Sequence, residues 1–259
     1  MDLGLTGRKA IVCASSKGLG YACARALARE GANVWINGRD RGRLEAAAAQ
    51  IKAEVGADVN LAPADINSQE GRDSLLAFCP APDILVNNNA GPSPGKLADW
   101  SHADWLAAGE ANMLAPIFLI KAATPGMVER RFGRIVNITS AMVKSPSATM
   151  GLSTAVRTAL TALSKSVHQD TVRFNVTINN LLPERFDTDR QKFMAERMVK
   201  NEGITMEQAR AKIADTIAAK RLGDPTEFGD ACAYLCSAQA GFISGQNLQL
   251  DGGSYRGLV

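Results

Sequence analysis

"KAIVCASSKGLGYACARALAREGA", residues 9–32, is the stretch whose reading decides the fold. Its first six residues (9–14) form a short apolar run ending at a turn, the mark of a buried strand. Residues 20–32 switch to helical spacing and close on Gly31. Between them lies "CASSKGLG" (13–20), where Gly18 and Gly20 open the helix. Glycines at such a junction let backbone amides approach a pyrophosphate, which the helix N-terminus also attracts. Any tight strand–helix turn can want glycine, so the turn alone is weak evidence, strengthened here by its place in the first βα unit. Ser15, Ser16, Lys17, Gly18, Leu19 and Gly20 are therefore the candidate phosphate cradle.

Outward from this unit the same alternation repeats. Strands are predicted at 33–38, 58–65, 82–88, 133–140, 174–183 and 247–253. Helices are predicted at 39–55, 68–79, about 104–121 with a break near Pro116, 150–169, two segments within 188–219, and 226–238. Near-continuous apolar strands separated by helices predict a Rossmann-type α/β fold: one doubly wound sheet of seven mostly parallel strands, with helices on both faces. Such sheets bind ligands at the carboxyl ends of their strands. Nothing in residues 1–259 reads as a domain linker, and a single dinucleotide-binding domain is expected.

Composition narrows the function. The chain has 46% hydrophobic and 21% charged residues, ordinary for a globular protein. A net charge of +3 with no basic stripe argues against nucleic acid. No apolar run reaches the roughly 18 residues of a membrane span. The start "MDLGLTGRKA" lacks a charged-then-apolar signal pattern, so a cytoplasmic address is expected. Five cysteines without a C-x-x-C pair, and only two histidines, predict buried free thiols and no metal site. Cys232 and Cys236 are spaced to share a helix face.

The second strand ends Asn37-Gly38-Arg39, with no acid before Asp40. An acid at this place would hold a ribose 2′-hydroxyl. Arg39 and Lys17 instead suit a 2′-phosphate, because guanidinium pairs phosphate oxygens through two bonds. The expected cofactor is NADP(H) rather than NAD(H); the bland alternative is two solvated surface charges.

From Leu5 to Gly253 the chain resembles the short-chain dehydrogenase/reductase family, particularly its β-ketoacyl carrier-protein reductase-like members. The resemblance rests on an ordered set: the turn at 14–20, Asp65, "ILVNNNAG" (84–91), Asn112, "GRIVNITS" (133–140), "NNLLPERFDT" (179–188) and "LQLDGG" (248–253). It implies that Asp65 and Ile66 contact adenine, and that Asn88, Asn89 and Ala90 line the adenosine ribose. It implies that Asn112 holds a helix bend and a water chain, and that Ser140 hydrogen-bonds the substrate oxygen. Pro183 through Thr188 would pass over the nicotinamide, and 184–219 would form a lid over the substrate. Phe193, Met194, Met198 and Met206 are either the lid's adaptable apolar wall or simply core.

The departures are specific. Cys13-Ala14 replace the usual Thr-Gly, and Pro183-Glu184 the usual Pro-Gly. "NNNAG" matches the family's Asn-Asn-Ala-Gly either ungapped from Asn87 or with one residue inserted. Counted from Ser140, the family's catalytic tyrosine and lysine positions hold Ser153 and Arg157. A serine cannot serve as the acidic phenol does, and arginine does not exchange protons in practice. Arg157 can still stabilise a developing alkoxide or hold the nicotinamide ribose, one helical turn from Ser153. Lys144, just after Ser140, is the candidate proton source; the bland reading is a solvated loop lysine.

The leading expectation is an NADP(H)-dependent oxidoreductase interconverting a ketone, 3-oxoacyl groups included, and a secondary alcohol. The alternatives are a nucleotide-binding sensor or subunit without chemistry, and a non-redox enzyme on the same frame. The family's habit of packing its long helices between subunits makes a homotetramer the expected assembly, a dimer the second choice.

Overall fold

The computed structural model describes residues 1–258. Its strands are β1 (Lys9–Val12), β2 (Asn33–Gly38), β3 (Asn60–Pro63), β4 (Ile84–Asn87), β5 (Gly133–Ile138), β6 (Val176–Pro183) and β7 (Asn247–Leu250). They form one sheet of order β3-β2-β1-β4-β5-β6-β7, with every pairing parallel. The order reverses between β1 and β4, which opens a crevice at their carboxyl ends.

Helices α1 (Gly18–Arg29), α2 (Arg41–Val55) and α9 (Pro225–Cys236) cover one face. Helices α3 (Gln69–Phe78), α5 (Ala115–Glu129) and α6 (Gly151–Val172) cover the other. Because both faces are covered, β4 and β5 are buried along their whole length, which suits their mostly apolar sequences ILVN and GRIVNI. Cys232 and Cys236 do share a face of α9, packed on Cys23 of α1, and all five cysteines are buried free thiols.

Where the sequence places one helix broken near Pro116, the chain has α4 (His102–Gly109), a π-helical turn (Glu110–Leu114) and α5. The break comes earlier than expected, because Pro116 sits in the first turn of α5, where a missing N–H costs nothing. Asn112 lies inside the π turn. The run His102–Glu129 also corrects the expectation about apolar length, since an 18-residue window reaches mean hydropathy 1.3, enough by length and composition to cross a membrane. Its inner side, including Leu119, Ile120, Ala123 and Met127, is packed on the sheet.

One feature of the core is polar. Asn87, Asn137, Asn180 and Asn247 are paired in register across β4, β5, β6 and β7. Each amide donates to the next carbonyl oxygen: Asn87 to Asn137 at 2.8 Å, Asn137 to Asn180 at 3.0 Å, Asn180 to Asn247 at 2.8 Å. The row is one-directional, so Asn87 Oδ1, at its start, is buried without a partner among the described residues.

Candidate active site

The crevice is built from the glycine turn. Ser15 holds it from beneath: its hydroxyl donates to the Val12 carbonyl at 2.7 Å and accepts from the Asn37 amide at 3.0 Å. Asn37 also accepts from the Ala14 amide and donates to the carbonyls of Ala62 and Ala64. This buried asparagine of β2 ties β2 and β3 to the turn, a role sequence reading passed over. Ala14 takes φ +45°, a left-handed conformation that suits the glycine it replaces. Gly18 has φ +62° and open space beside it. At Gly20 a Cβ would stand 2.5 Å from the Ala14 carbonyl oxygen and 2.7 Å from Asn88 Nδ2, so only glycine fits. Lys17, the N-cap of α1, is extended and supplies no side-chain cap. The first amides of α1 therefore lack a side-chain acceptor, as an anion-binding helix start requires. These residues fit a dinucleotide pyrophosphate.

Around the cradle, Asn88 Nδ2 donates to the Ala14 carbonyl, joining β4's end to the turn. Asn89 donates to Asn67 Oδ1 and the Ala111 carbonyl, and Asn112 donates to the Ala90 carbonyl at 3.2 Å. The π turn thus aims Asn112 at the 88–91 loop. A small cavity lined by Ile66, Asn87, Asn88, Asn112 and Arg157 lies beneath. Asp65 faces Arg39, with 4.0 Å between Oδ2 and the nearest guanidinium nitrogen, and Arg39 is 77% exposed. Lys17 does not converge with Arg39. It crosses to the start of α7 (Asp189–Glu202), where its ammonium meets Asp189 Oδ2 at 2.8 Å and holds that carboxyl below its ordinary range. Both pairs are exposed and thus weak.

Helix α6 presents Ser153, Arg157, Leu160 and Ser164 to the sheet at helical spacing. Trp100 and Trp105, edge to face, pack on Leu152 and Val156 and fix the rotation of its first turns. Arg157 is buried and gives one terminal nitrogen to two carbonyls at the end of β5, Ile138 at 2.8 Å and Thr139 at 2.7 Å. Its other terminal nitrogen lies by Gly91, where a Cβ would be 3.1 Å from it and 3.9 Å from Ser153 Oγ. Burial, with Arg190 nearby, pulls the guanidinium down to about 10. Ser140 caps a short 3-10 turn, its hydroxyl accepting from the Met142 amide. Lys144, at the end of that turn, has its ammonium 5.3 Å from the centre of the Tyr255 ring. Tyr255 follows β7, and only the return of the chain after that strand brings it to Lys144.

Pro183 ends β6, and Thr188 stands at the N-cap position of α7 without a side-chain cap, its hydroxyl donating to the Phe186 carbonyl. Helix α7 and α8 (Met206–Asp215) share a small core that takes in Met194 and Met198, while Phe193 and Met206 are exposed. Of the expected apolar wall, then, two members are core.

Comparison with known proteins agrees with this architecture. Residues 13–255 match the family model described as enoyl-(acyl carrier protein) reductase. The NADPH-dependent reductase BacG of Bacillus subtilis is 31% identical, over 98% of this chain and all of its own. The structure of L-sorbose reductase from Gluconobacter frateurii, complexed with NADPH and L-sorbose, superposes with TM-score 0.94 at 27% identity over the whole of both chains. A 3-oxoacyl (acyl-carrier-protein) reductase from Agrobacterium tumefaciens with NADP bound gives TM-score 0.88 at 29% identity, covering 97% of this chain and 96% of that one. A nucleotide-binding α/β protein is what the crevice defines. More narrowly, the chain belongs to the short-chain dehydrogenase/reductase family.

Proposed function

We propose that this protein is an NADP(H)-dependent oxidoreductase that interconverts a ketone and a secondary alcohol, 3-oxoacyl groups being among the candidate substrates. The observation that carries the reading is the start of α1: an uncapped helix N-terminus with Gly18 open to the crevice and Gly20 closed against Ala14 and Asn88. Arg39, largely exposed at the end of β2, supports the phosphorylated nucleotide. NADPH supplies the hydride when bound. The chain's own residues orient and polarise the carbonyl. Ser140, the Ser153 hydroxyl and the free arm of Arg157 are the groups for the oxygen. Fixed donors of this kind stabilise charge as it develops on an alkoxide. Arg157 keeps its proton at neutral pH even at a depressed pKa, so the proton must come from elsewhere. Lys144, at the end of the Ser140 turn, is the candidate, delivering through solvent. Asn112 positions the loop at 88–91.

The test is NADPH oxidation over a panel of ketones. Arg157→Ala is expected to lower kcat about 100-fold, the usual scale for losing one such donor. Unchanged turnover would remove Arg157 from the chemistry. A second reading, nucleotide binding without turnover, is supported by the two backbone carbonyls that occupy half of Arg157. It predicts NADPH binding with no reduction of any ketone.

Two further expectations belong to this proposal. Five buried free thiols suit a reducing compartment and thus a cytoplasmic address. Only 39% of the apolar window in 102–129 is buried, and α6 exposes the small residues Ala155, Thr158, Ala159 and Ala162. Such flat faces suit helix packing between copies, and a homotetramer remains the expected assembly, with a dimer second.

A further inference from the structure

Two guanidiniums, Arg157 of α6 and Arg190 of α7, stand near one another with no carboxylate partner among the described residues. Arg157 is buried, with 8% of its surface exposed, and enters no ion pair among the described residues. Arg190, in the first turn of α7, is half-buried and donates to the Pro92 carbonyl at 3.2 Å. It too has no acidic partner among the described residues. The two reach the same short stretch, Arg157 lying by Gly91 and Arg190 bonding Pro92. Arg197 follows on the same helix, its guanidinium and that of Arg190 standing 5.9 and 6.0 Å from the Phe193 ring centre. Most other lid cations are neutralised: Arg185 by Glu184, Arg210 by Asp187, Lys212 by Glu202.

Holding cations together in a closed crevice is unfavourable unless something negative joins them. Burial lowers the pKa of both arginines, and Arg190 adds to the depression at Arg157. Backbone carbonyls satisfy one arm of each and leave charge and donors over. The cofactor's phosphates do not answer this need. They are provided for at the α1 start and Arg39, on the β1–β2 side, whereas this pair lies past the end of β4 beside Ser153. A guanidinium fork matches a carboxylate through two parallel bonds.

Resting on the reductase reading above, we propose that Arg190 and Arg157 form an anion subsite for the substrate, whose class is a short 2- or 3-oxo acid carrying a free carboxylate. Arg190 holds the carboxylate, and Arg157 stands between it and the carbonyl oxygen shared with Ser153. The lid helix then closes on the acid group itself, which couples substrate charge to closure.

The test is calorimetric titration of the full-length protein saturated with NADP⁺, so that no turnover occurs. Pyruvate, 2-oxobutyrate and acetoacetate are each compared with their methyl esters. At least one acid is expected to bind tenfold or more tightly than its ester. Arg190→Ala should remove that preference while leaving ester and NADP⁺ affinity alone, and Arg190→Lys should restore part of it. Circular dichroism of each variant checks that α7 still forms, and the Lys variant carries the test if the Ala variant unfolds. If no acid outbinds its ester, the inference fails. If Arg190→Ala weakens NADP⁺ as much as the acid, the pair serves the cofactor and the inference also fails. Failure of the reductase reading shows separately, as absent NADP⁺ binding in the first titration. The same acid-over-ester comparison on the nucleotide-free protein then still decides whether the subsite exists.

Discussion

Ala14 sits in a left-handed conformation at the tightest point of the phosphate turn. An L-residue there costs roughly 1–2 kcal/mol relative to its ordinary backbone regions, whereas glycine is at ease. Ala14→Gly is therefore expected to stabilise the protein by about 1 kcal/mol after glycine's greater freedom in the unfolded chain is counted. Thermal unfolding should read this as a rise of roughly 2–4 °C. A fall in midpoint would mean that the turn relaxes some other way. Gly20 is the opposite case, since any Cβ there meets the Ala14 carbonyl. The backbone demand for glycine at 18 and 20 was legible in the sequence because the constraint is local. The partners of Lys17 and Arg190 were not: Asp189 and Pro92 lie 172 and 98 residues away along the chain. No spacing rule links such positions, and the crevice exists only after the sheet has formed.

At the scale of elements, strands and helices followed from apolar periodicity, and their order gave the parallel sheet. Sequence reading missed two things for one reason: both depend on what crosses between elements. The π turn at 110–114 inserts a residue so that Asn112 can reach the Ala90 carbonyl. The asparagine row depends on β4, β5, β6 and β7 lying in register, and asparagine by itself signals a turn rather than a central strand. The row makes a direct prediction. Asn137→Ala leaves the Asn87 amide and the Asn180 carbonyl oxygen without partners inside the sheet. Each unsatisfied buried group costs about 1–3 kcal/mol, so with two of them a loss of at least about 2 kcal/mol is expected in urea unfolding. A loss below about 1 kcal/mol would show that the amides contribute little beyond filling space.

At the scale of the whole molecule, topology explains why the site lies where it does. The strand order reverses between β1 and β4, and the turn at 13–20, the loop at 88–91 and the start of helix α7 all gather there. Helix α6 exposes the small residues Ala155, Thr158, Ala159 and Ala162, the face proposed for packing between copies. Light scattering is expected to give four times the chain mass, and Ala159→Arg on the exposed side of α6 should lower it. A monomer at all concentrations would contradict the proposed packing face.

The most direct test is a fluorescence titration with NADPH and with NADH, of the native protein and of Arg39→Ala. Losing charge-assisted bonds to the 2′-phosphate is worth about 1.5–3 kcal/mol, or roughly 10- to 100-fold. The native protein should bind NADPH in the micromolar range and at least tenfold more tightly than NADH, and Arg39→Ala should bring the two together. Equal affinities in the native protein, or no binding of either nucleotide, would contradict the assignment of this crevice to NADP(H).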